Sequence, residues 1–506
     1  MGDIEFIVLL LAVAALGVRF ADHASIPYPI VLVVFGLAVG LLPGLPDLEL
    51  DPDVIFLVFL PPLLFAAGWR ASPRELRSEK RALAGLAVGL VLVTMVAVAV
   101  LAHAIVPGMS WAAAFVLGAV VAPTDPVSAT ATFSRIGVPA RVRLLVEGEA
   151  MINDGAALVA YRVALTAAVE GTFSAGGAGL DFVLAGVGGV LLGLMIGWGS
   201  TEIVRRQEDV TLTIFFTLLT AYAAYIIGEE LHVSGVLACV VSGIYGGWKA
   251  PVAFSAEMRL TGVAFWGVMT LGLEALLFVL LGLQAPQVAD AIDIAPLALQ
   301  ALAIALVVVA VRMAWALLPP VDAGDTLKER IAVGWSGMRG AISLAAALAV
   351  PASVATRPEI LLITFGVIAV TLLGQGLTLP LLLRALRLPG ENVWSPDEAL
   401  ARLETAQAAL DRLDELEDEG AAEDQLERLR ELYRARFEQC VAALDGTAGD
   451  RDGASAPLRR LGTLRRDVIG AERRALLDLR SSDRVPPDVV RRVERDLDLE
   501  EARLRA

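Results

Sequence analysis

Long apolar runs separated by short polar connections dominate roughly the first 385 residues of the chain. A helix needs about 20 apolar residues to cross the hydrocarbon core of a bilayer. Runs of that order occur at 4–20, 28–43, 54–69, 82–106, 110–134, 143–169, 180–204, 210–228, 234–248, 261–285, 294–318, 331–350 and 360–385. The second and ninth are short, but the recurrence is far too frequent for one signal peptide or one anchor. The pattern predicts an all-α polytopic membrane protein of about 13 transmembrane helices. From residue 391 it changes to a charged, amphipathic helical repeat. Two domains are therefore expected: a transmembrane domain over 1–390 and an acidic helical C-terminal tail over 391–506.

Several runs are interrupted. The fifth carries Pro123, Thr124, Asp125 and Pro126 in mid-span, and two prolines flanking an acid should break the helix. Unwound backbone at that depth is tolerated where it is buried in protein or lines a cavity, and its freed carbonyls can coordinate a cation. The twelfth holds Gly334, Gly337 and Gly340 beside Arg339, which makes it a candidate for a second irregular helix. Spans five and twelve are an odd number apart and so run in opposite directions, as in inverted repeats with crossing broken helices. Pro61 and Pro62 in the third span are expected to kink it, and the segment from Arg70 to Arg81 reads as a short amphipathic stretch on the membrane surface.

Composition agrees with a membrane protein. The hydrophobic share is 57%, against about 45–50% in soluble domains, and the mean hydropathy is +0.68. Loop charges orient the chain, because cytoplasmic loops hold the Lys and Arg. Alternate connections carry fifteen of them, from Arg19 through Arg70, Arg141 and Arg205 to Arg330, whereas the opposite side has only Arg357. An N-terminus outside and a C-terminus in the cytoplasm follow. The opening MGDIEF places an acid where a cleavable signal needs base, so no signal is expected. A net charge of −15 is the reverse of a nucleic-acid binder's. Two cysteines, Cys239 and Cys440, exclude a disulfide framework or a Cys-rich metal site. With three histidines, no HExxH and no GxSxG, an enzyme is not expected.

Candidate chemistry concentrates in VEGEAMINDGAALVAY, residues 146–161. A carboxylate near the bilayer centre costs at least ~2.5 kcal/mol, so acids there are usually held by partners and used for ion or proton movement. At 100° per residue Glu149 and Asn153 share a helix face, and Asp154 is displaced around it. Helical rise puts Asp154 and Asp125 both roughly 15 Å deep, where they can meet, and Glu149 roughly 8 Å deep. Glu147 is closer to the surface. Two buried arginines could neutralise Glu149. Arg312 matches its depth and is the first choice; Arg339 is the alternative. Glu274 is an isolated acid in the tenth span for which a basic partner is expected, and His103 reads as a packing residue.

APTDP at 122–126, EGEAMIND at 147–154, ELHVSGVLA at 230–238 and GMRGAISLA at 337–345 resemble signatures of the cation:proton antiporters of the NhaP and NHE type. The resemblance covers about residues 4–385. It implies the sodium/proton antiporter fold in a protomer of thirteen helices, a homodimer in the cell membrane, a role in pH homeostasis, and no cofactor beyond the transported Na+ and H+. It further implies that Asp154 binds either cation or proton, with Asn153 beside it where electrogenic relatives carry a second Asp. Thr124 and Asp125 would line the transported Na+, Glu149 would pair with Arg312, and Arg339 would support the core; Glu274, from its own isolated setting, reads as a second supporting residue. One departure is Ala150, where the family often has Ser. The expected partners are monovalent cations, protons, the lipid bilayer and a second copy, and no nucleic acid. Because Asn153 takes up no proton, the expected activity is electroneutral exchange of Na+, with Li+ or K+ as alternative cations. A cation channel or uniporter is the rival for the same acid-lined pathway.

Overall fold

The computed structural model describes residues 3–24, 26–42, 52–170, 175–289, 294–388, 396–418, 423–444 and 471–472. The described residues form helices joined by turns and short irregular stretches, with no strand among them, and the chain divides into two compact units, Met1–Gly390 and Glu391–Ala506.

The first unit opens with α1 (Asp3–Ala24), α2 (Tyr28–Gly40) and α3 (Pro52–Arg70). Pro61 and Pro62 lie inside α3, which continues through them as one helix. The amphipathic stretch forms two short helices, α4 (Pro73–Ser78) and α5 (Lys80–Ala84); no residue of α4 is buried. A π-helical turn at Gly85–Gly89 joins α5 to α6 (Leu90–Ile105). Next come α7 (Trp111–Val121), α8 (Val127–Ile136) and the long α9 (Ala140–Glu170). They are followed by α10 (Ala175–Val204), α11 (Val210–Glu230), α12 (Gly235–Ala253), α13 (Ala256–Ala289) and α14 (Ile294–Leu317). The last segments are α15 (Leu327–Trp335), α16 (Ala341–Leu348), α17 (Arg357–Ala369), a π-helical turn at Val370–Gln375, and α18 (Gly376–Leu386).

Among the described residues, eight helical segments are long and apolar enough to cross a membrane. The other apolar runs coincide with α1, with the shorter α2 and α3, or with a pair of half-helices on either side of a break. Large apolar side chains stand exposed along α10, Leu184, Leu191, Met195 and Trp198 among them. A surface of that kind fits lipid rather than water.

Packing sorts the helices into two bundles. In one, α2 lies along α13, and α3 and α10 both pack on α12. Backbones there approach so closely that a Cβ on Gly68 or Gly243 would overlap a carbonyl of the facing helix, as expected of small-residue contacts in membranes. In the other bundle, α7 packs on α6 and α9, and α14 packs on α6, α15 and α17. Their shared core runs from Val98 and Leu117 to Ile304, Val308 and Ile363. Fewer contacts bridge the bundles: α9 meets α10 and α12, α2 meets α8, and α3 meets α16. Arg162 of α9 also forms an ion pair with Glu229 at the end of α11.

His103 packs as expected. Its ring stacks on Trp111 with centroids 4.2 Å apart, and Nδ1 lies 2.7 Å from the Met109 carbonyl.

In the second unit, α19 (Pro396–Asp418) and α20 (Glu423–Leu444) pack as a pair. Arg430 bonds Asp414 at 2.7 Å and also pairs with Glu417. The part of the expected helical tail beyond Leu444 lies outside the described residues, apart from 471–472.

Candidate functional site

The site is built by two broken helices whose breaks meet. Ser110 starts α7 by accepting the amide of Ala113 at 3.2 Å, and Pro123, which has no N–H, stops it. The chain runs unwound to Pro126, after which α8 begins; Asp125 accepts the Val127 amide on Oδ1 at 2.9 Å and so caps the new helix. The second break is framed differently. Thr326 and Glu329 form a capping box that starts α15, which ends at Trp335, and Gly337–Gly340 are extended or irregular before α16 begins.

Each break satisfies the other. The amide of Asp125 donates to the Met338 carbonyl at 2.8 Å. Gly340 lies so close to Asp125 that a Cβ there would overlap its carboxylate. Arg339 is wholly buried and donates to the carbonyls of Val121 at 2.9 Å and Ala122 at 3.4 Å, and to that of Gly337. The Val121 and Ala122 carbonyls are orphaned where α7 stops, and they lie at the negative end of its dipole, where a cation is favoured. Asp125, conversely, lies at the positive end of α8. The opposed charges thus follow from helix polarity.

The long α9 passes beside the breaks. Asn153 Nδ2 donates to Thr124 Oγ1 at 2.8 Å, and Thr124 Oγ1 donates to Glu149 Oε1 at 3.4 Å. Glu149 and Arg312, each 1% exposed, form a two-pronged ion pair, with Arg312 Nη2 to Glu149 Oε2 at 2.9 Å. Arg312 also donates to the carbonyls of Gly334 at 3.2 Å and Val333 at 3.1 Å. Of the two arginines weighed against Glu149, Arg312 makes the contact and Arg339 serves backbone carbonyls instead. Glu147 is exposed.

Asp154 is 5% exposed, Asn153 1% and Thr124 5%. Oδ1 of Asp154 and Oδ1 of Asn153 have no hydrogen-bond partner among the described residues. Asp125 is half-buried. Thr124 and Asp125 at the first break and Asn153 and Asp154 on the adjoining α9 supply two carboxylates, a hydroxyl and an amide oxygen, the hard oxygen chemistry that suits a monovalent cation or a proton. Among the described residues no cluster of three or more His, Cys, Asp or Glu side chains forms a resident metal site. Ala150 is buried at 2% exposure and contributes no oxygen.

Glu274 departs from its expected basic partner: its Oε2 accepts the Tyr28 hydroxyl at 2.7 Å. Other polar groups at the breaks carried no sequence motif. Thr371 Oγ1 accepts the Arg339 amide at 3.1 Å, and Gln375 Nε2 donates to the Trp335 carbonyl at 3.0 Å, closing the end of α15. Both sit on the π-helical turn, where the irregular ladder turns polar side chains inward. The polar run Gly374-Gln375-Gly376 inside an apolar span was the available signal.

Comparison with known proteins shows the family and the fold. A model of the transmembrane sodium/hydrogen exchanger matches residues 7–385. An uncharacterised Na+/H+ exchanger of Mycobacterium bovis is 34% identical over 527 residues, covering 98% of this chain and 95% of that protein. The Na+/H+ antiporter NhaH of Halobacillus dabanensis is 33% identical over 399 residues, covering 75% of this chain and 97% of its own. The sodium proton antiporter MjNhaP1 of Methanocaldococcus jannaschii, solved at pH 8, shares the fold with a TM-score of 0.63 at 19% identity, covering 76% of this chain and 98% of that one. The chain belongs to the sodium/hydrogen exchanger family and is a secondary transporter of that family, not an enzyme.

Proposed function

We propose that the chain exchanges a monovalent cation, Na+ in the first instance, for a proton across the cell membrane by alternating access, with Asp154 as the group that carries either one. The observation that supports this most directly is a pairing difference on one helix. Glu149 is neutralised by Arg312, whereas the buried Asp154 keeps an oxygen without a protein partner among the described residues. Low-dielectric burial disfavours a bare carboxylate, so Asp154 needs a counter-ion, and a proton and a cation compete for it.

In this reading Asp154, Asp125 and Thr124 hold the cation with the free amide oxygen of Asn153. The amide nitrogen of Asn153 is occupied by Thr124, and its oxygen has no hydrogen-bond partner among the described residues. An empty, ionised Asp154 is too costly to carry through the seam between the bundles. Only the loaded forms cross, which makes exchange obligatory. Asn153 adds no titrating charge, so one cation moves against one proton and the cycle is electroneutral. The α6–α9 and α14–α18 bundle would move against the bundle of α1–α3 and α10–α13.

The reading includes thirteen crossings, the N-terminus outside, a cytoplasmic tail and a homodimer; the loop charges support the orientation. No cofactor is required. The test is proton flux in proteoliposomes holding the purified chain, driven by Na+, Li+ or K+ gradients over a pH series. Cation-dependent proton movement indifferent to an imposed membrane potential is expected. A potential-driven current would overturn the stoichiometry, and downhill cation flux without protons would favour a channel or uniporter.

A further inference from the structure

ELHVSGVLA at 230–238 supplies none of the side chains described at the exchange site; it turns the end of α11 into the start of α12. His232 takes a left-handed backbone conformation at φ 58°. Ser234 Oγ caps α12 by accepting the Leu237 amide at 3.2 Å, and the Ser234 amide donates to the Ala185 carbonyl of α10 at 3.0 Å. The corner is close-packed, since a Cβ on Gly189 of α10 would overlap the Ser234 carbonyl and one on Gly228 would overlap Gly235. Three helices of one bundle thus fix it in place.

From that corner two side chains reach α9, which belongs to the other bundle. Leu237 seats on Gly155, the residue after Asp154, where a Cβ would come within 2.8 Å of Leu237 Cδ2. Glu229 forms an ion pair with Arg162. A Cβ on Gly235 would lie 2.9 Å from Glu229 Oε1, so the missing side chain there leaves room for the carboxylate. Gly155 and Arg162 are seven residues apart and share one face of α9. Leu158 lies between them on that face, partly buried against the cluster that holds Val236 and Leu192. Arg162 stands eight residues beyond Asp154, roughly 12 Å along α9 on the side away from Arg141. With side-chain exposures of 47% and 31%, Arg162 and Glu229 meet solvent, whereas Asp154 is buried.

We propose that the Arg162–Glu229 pair is a latch across the seam: together with Leu237 on Gly155 it closes the outer side of the Asp154 site in this conformation, and it parts when the site opens outward. The proposal rests on the reading that the two bundles move against each other with the C-terminal end of α9 outside. An exposed ion pair is weak. It therefore biases the equilibrium between closed and open without locking it, as a reversible transport cycle requires.

The first test reads the exposure of α9 in cells producing the full chain with Leu158→Cys, a position between the latch and Asp154. A membrane-impermeant maleimide is added outside, and its reaction at position 158 is followed by mass spectrometry of that peptide. Glu229→Gln and Arg162→Gln should each raise the rate about two- to fivefold, the range expected for the loss of one exposed pair. The charge swap, Arg162→Glu with Glu229→Arg, should bring it back toward the parental rate. Unchanged rates in both single variants would overturn the proposal. So would a raised rate that the swap leaves unrestored, the sign of local loosening. If one single variant does not fold, the other decides.

A second test separates the latch from the motion beneath it. Arg162→Cys with Glu229→Cys is joined by a bifunctional methanethiosulfonate that a reductant cleaves, and the native Cys239 and Cys440 are both buried. The joined protein in proteoliposomes should lose Na+-driven proton flux and regain it on reduction, while the parent and each single cysteine variant, treated alike, keep theirs. Full flux through the joined pair would overturn the bundle motion and the latch together. Lost flux in the joined pair beside unchanged labelling in the charge variants would overturn the latch alone.

Discussion

Arg312 and Glu149 meet as a buried, two-pronged ion pair, with Nη2 to Oε2 at 2.9 Å and both side chains 1% exposed. The pair joins α14 to α9, and Arg312 continues to the carbonyls of Val333 and Gly334 on α15. Removing one partner of such a pair strands a buried charge and costs about 3–5 kcal/mol. Glu149→Gln should therefore lower the melting temperature of the purified protein in detergent sharply. Replacing both residues with apolar ones, Glu149→Leu with Arg312→Met, should cost less than Glu149→Gln alone. A single variant that melts like the parent would show that the pair carries no such load.

The contact between Gly340 and Asp125 leaves no room for a side chain. Gly340→Ala should push Asp125 from the break and abolish cation-dependent proton flux. Gly262→Ala is the matched control, because a Cβ there meets nothing within 4 Å. Equal flux from both variants would show that the crossing tolerates displacement.

Much of this arrangement is legible in the amino-acid pattern because its causes are local. Pro123 and Pro126 stop and restart a helix wherever it sits, and the depth of Asp154 follows from helical rise. The pairing of Glu149 was less determined, since two arginines lie at compatible depths and only the crossing of the breaks turns Arg339 toward the α7 carbonyls. Tyr28 could not be foreseen as the partner of Glu274, because the contact joins residues 246 apart through the packing of α2 on α13. Thr371 and Gln375 were missed for a related reason. A π-helical turn changes which face a residue occupies, and a regular 3.6-residue count misplaces it.

Arg339 holds carbonyls on three residues with a planar, forked donor set. Lys offers a point charge without that fork. Arg339→Lys should leave at least one orphaned carbonyl unsatisfied, at about 1–3 kcal/mol for a buried acceptor. The measurement is thermal stability in detergent together with flux, and both should fall. A Lys variant with parental stability would mean that water or another donor replaces the fork.

Competition at one carboxylate fixes the sign of the pH dependence. As pH falls, protons occupy Asp154 and displace the cation, so half-saturating Na+ should rise, by at most about tenfold per pH unit for one proton. The maximal rate at saturating Na+ should change less. A series of flux measurements across pH checks the slope. A limiting slope near two decades per unit would mean that two protons compete, against a single titrating carrier beside Asn153.

The most direct measurement is Na+-driven proton flux in proteoliposomes carrying Asp154→Asn, with melting temperature and elution volume recorded on the same preparation. The variant should fold as the parent does and show no cation-dependent proton movement at any pH. Retained Na+-dependent proton flux in a folded Asp154→Asn protein would contradict Asp154 as the group that carries cation and proton.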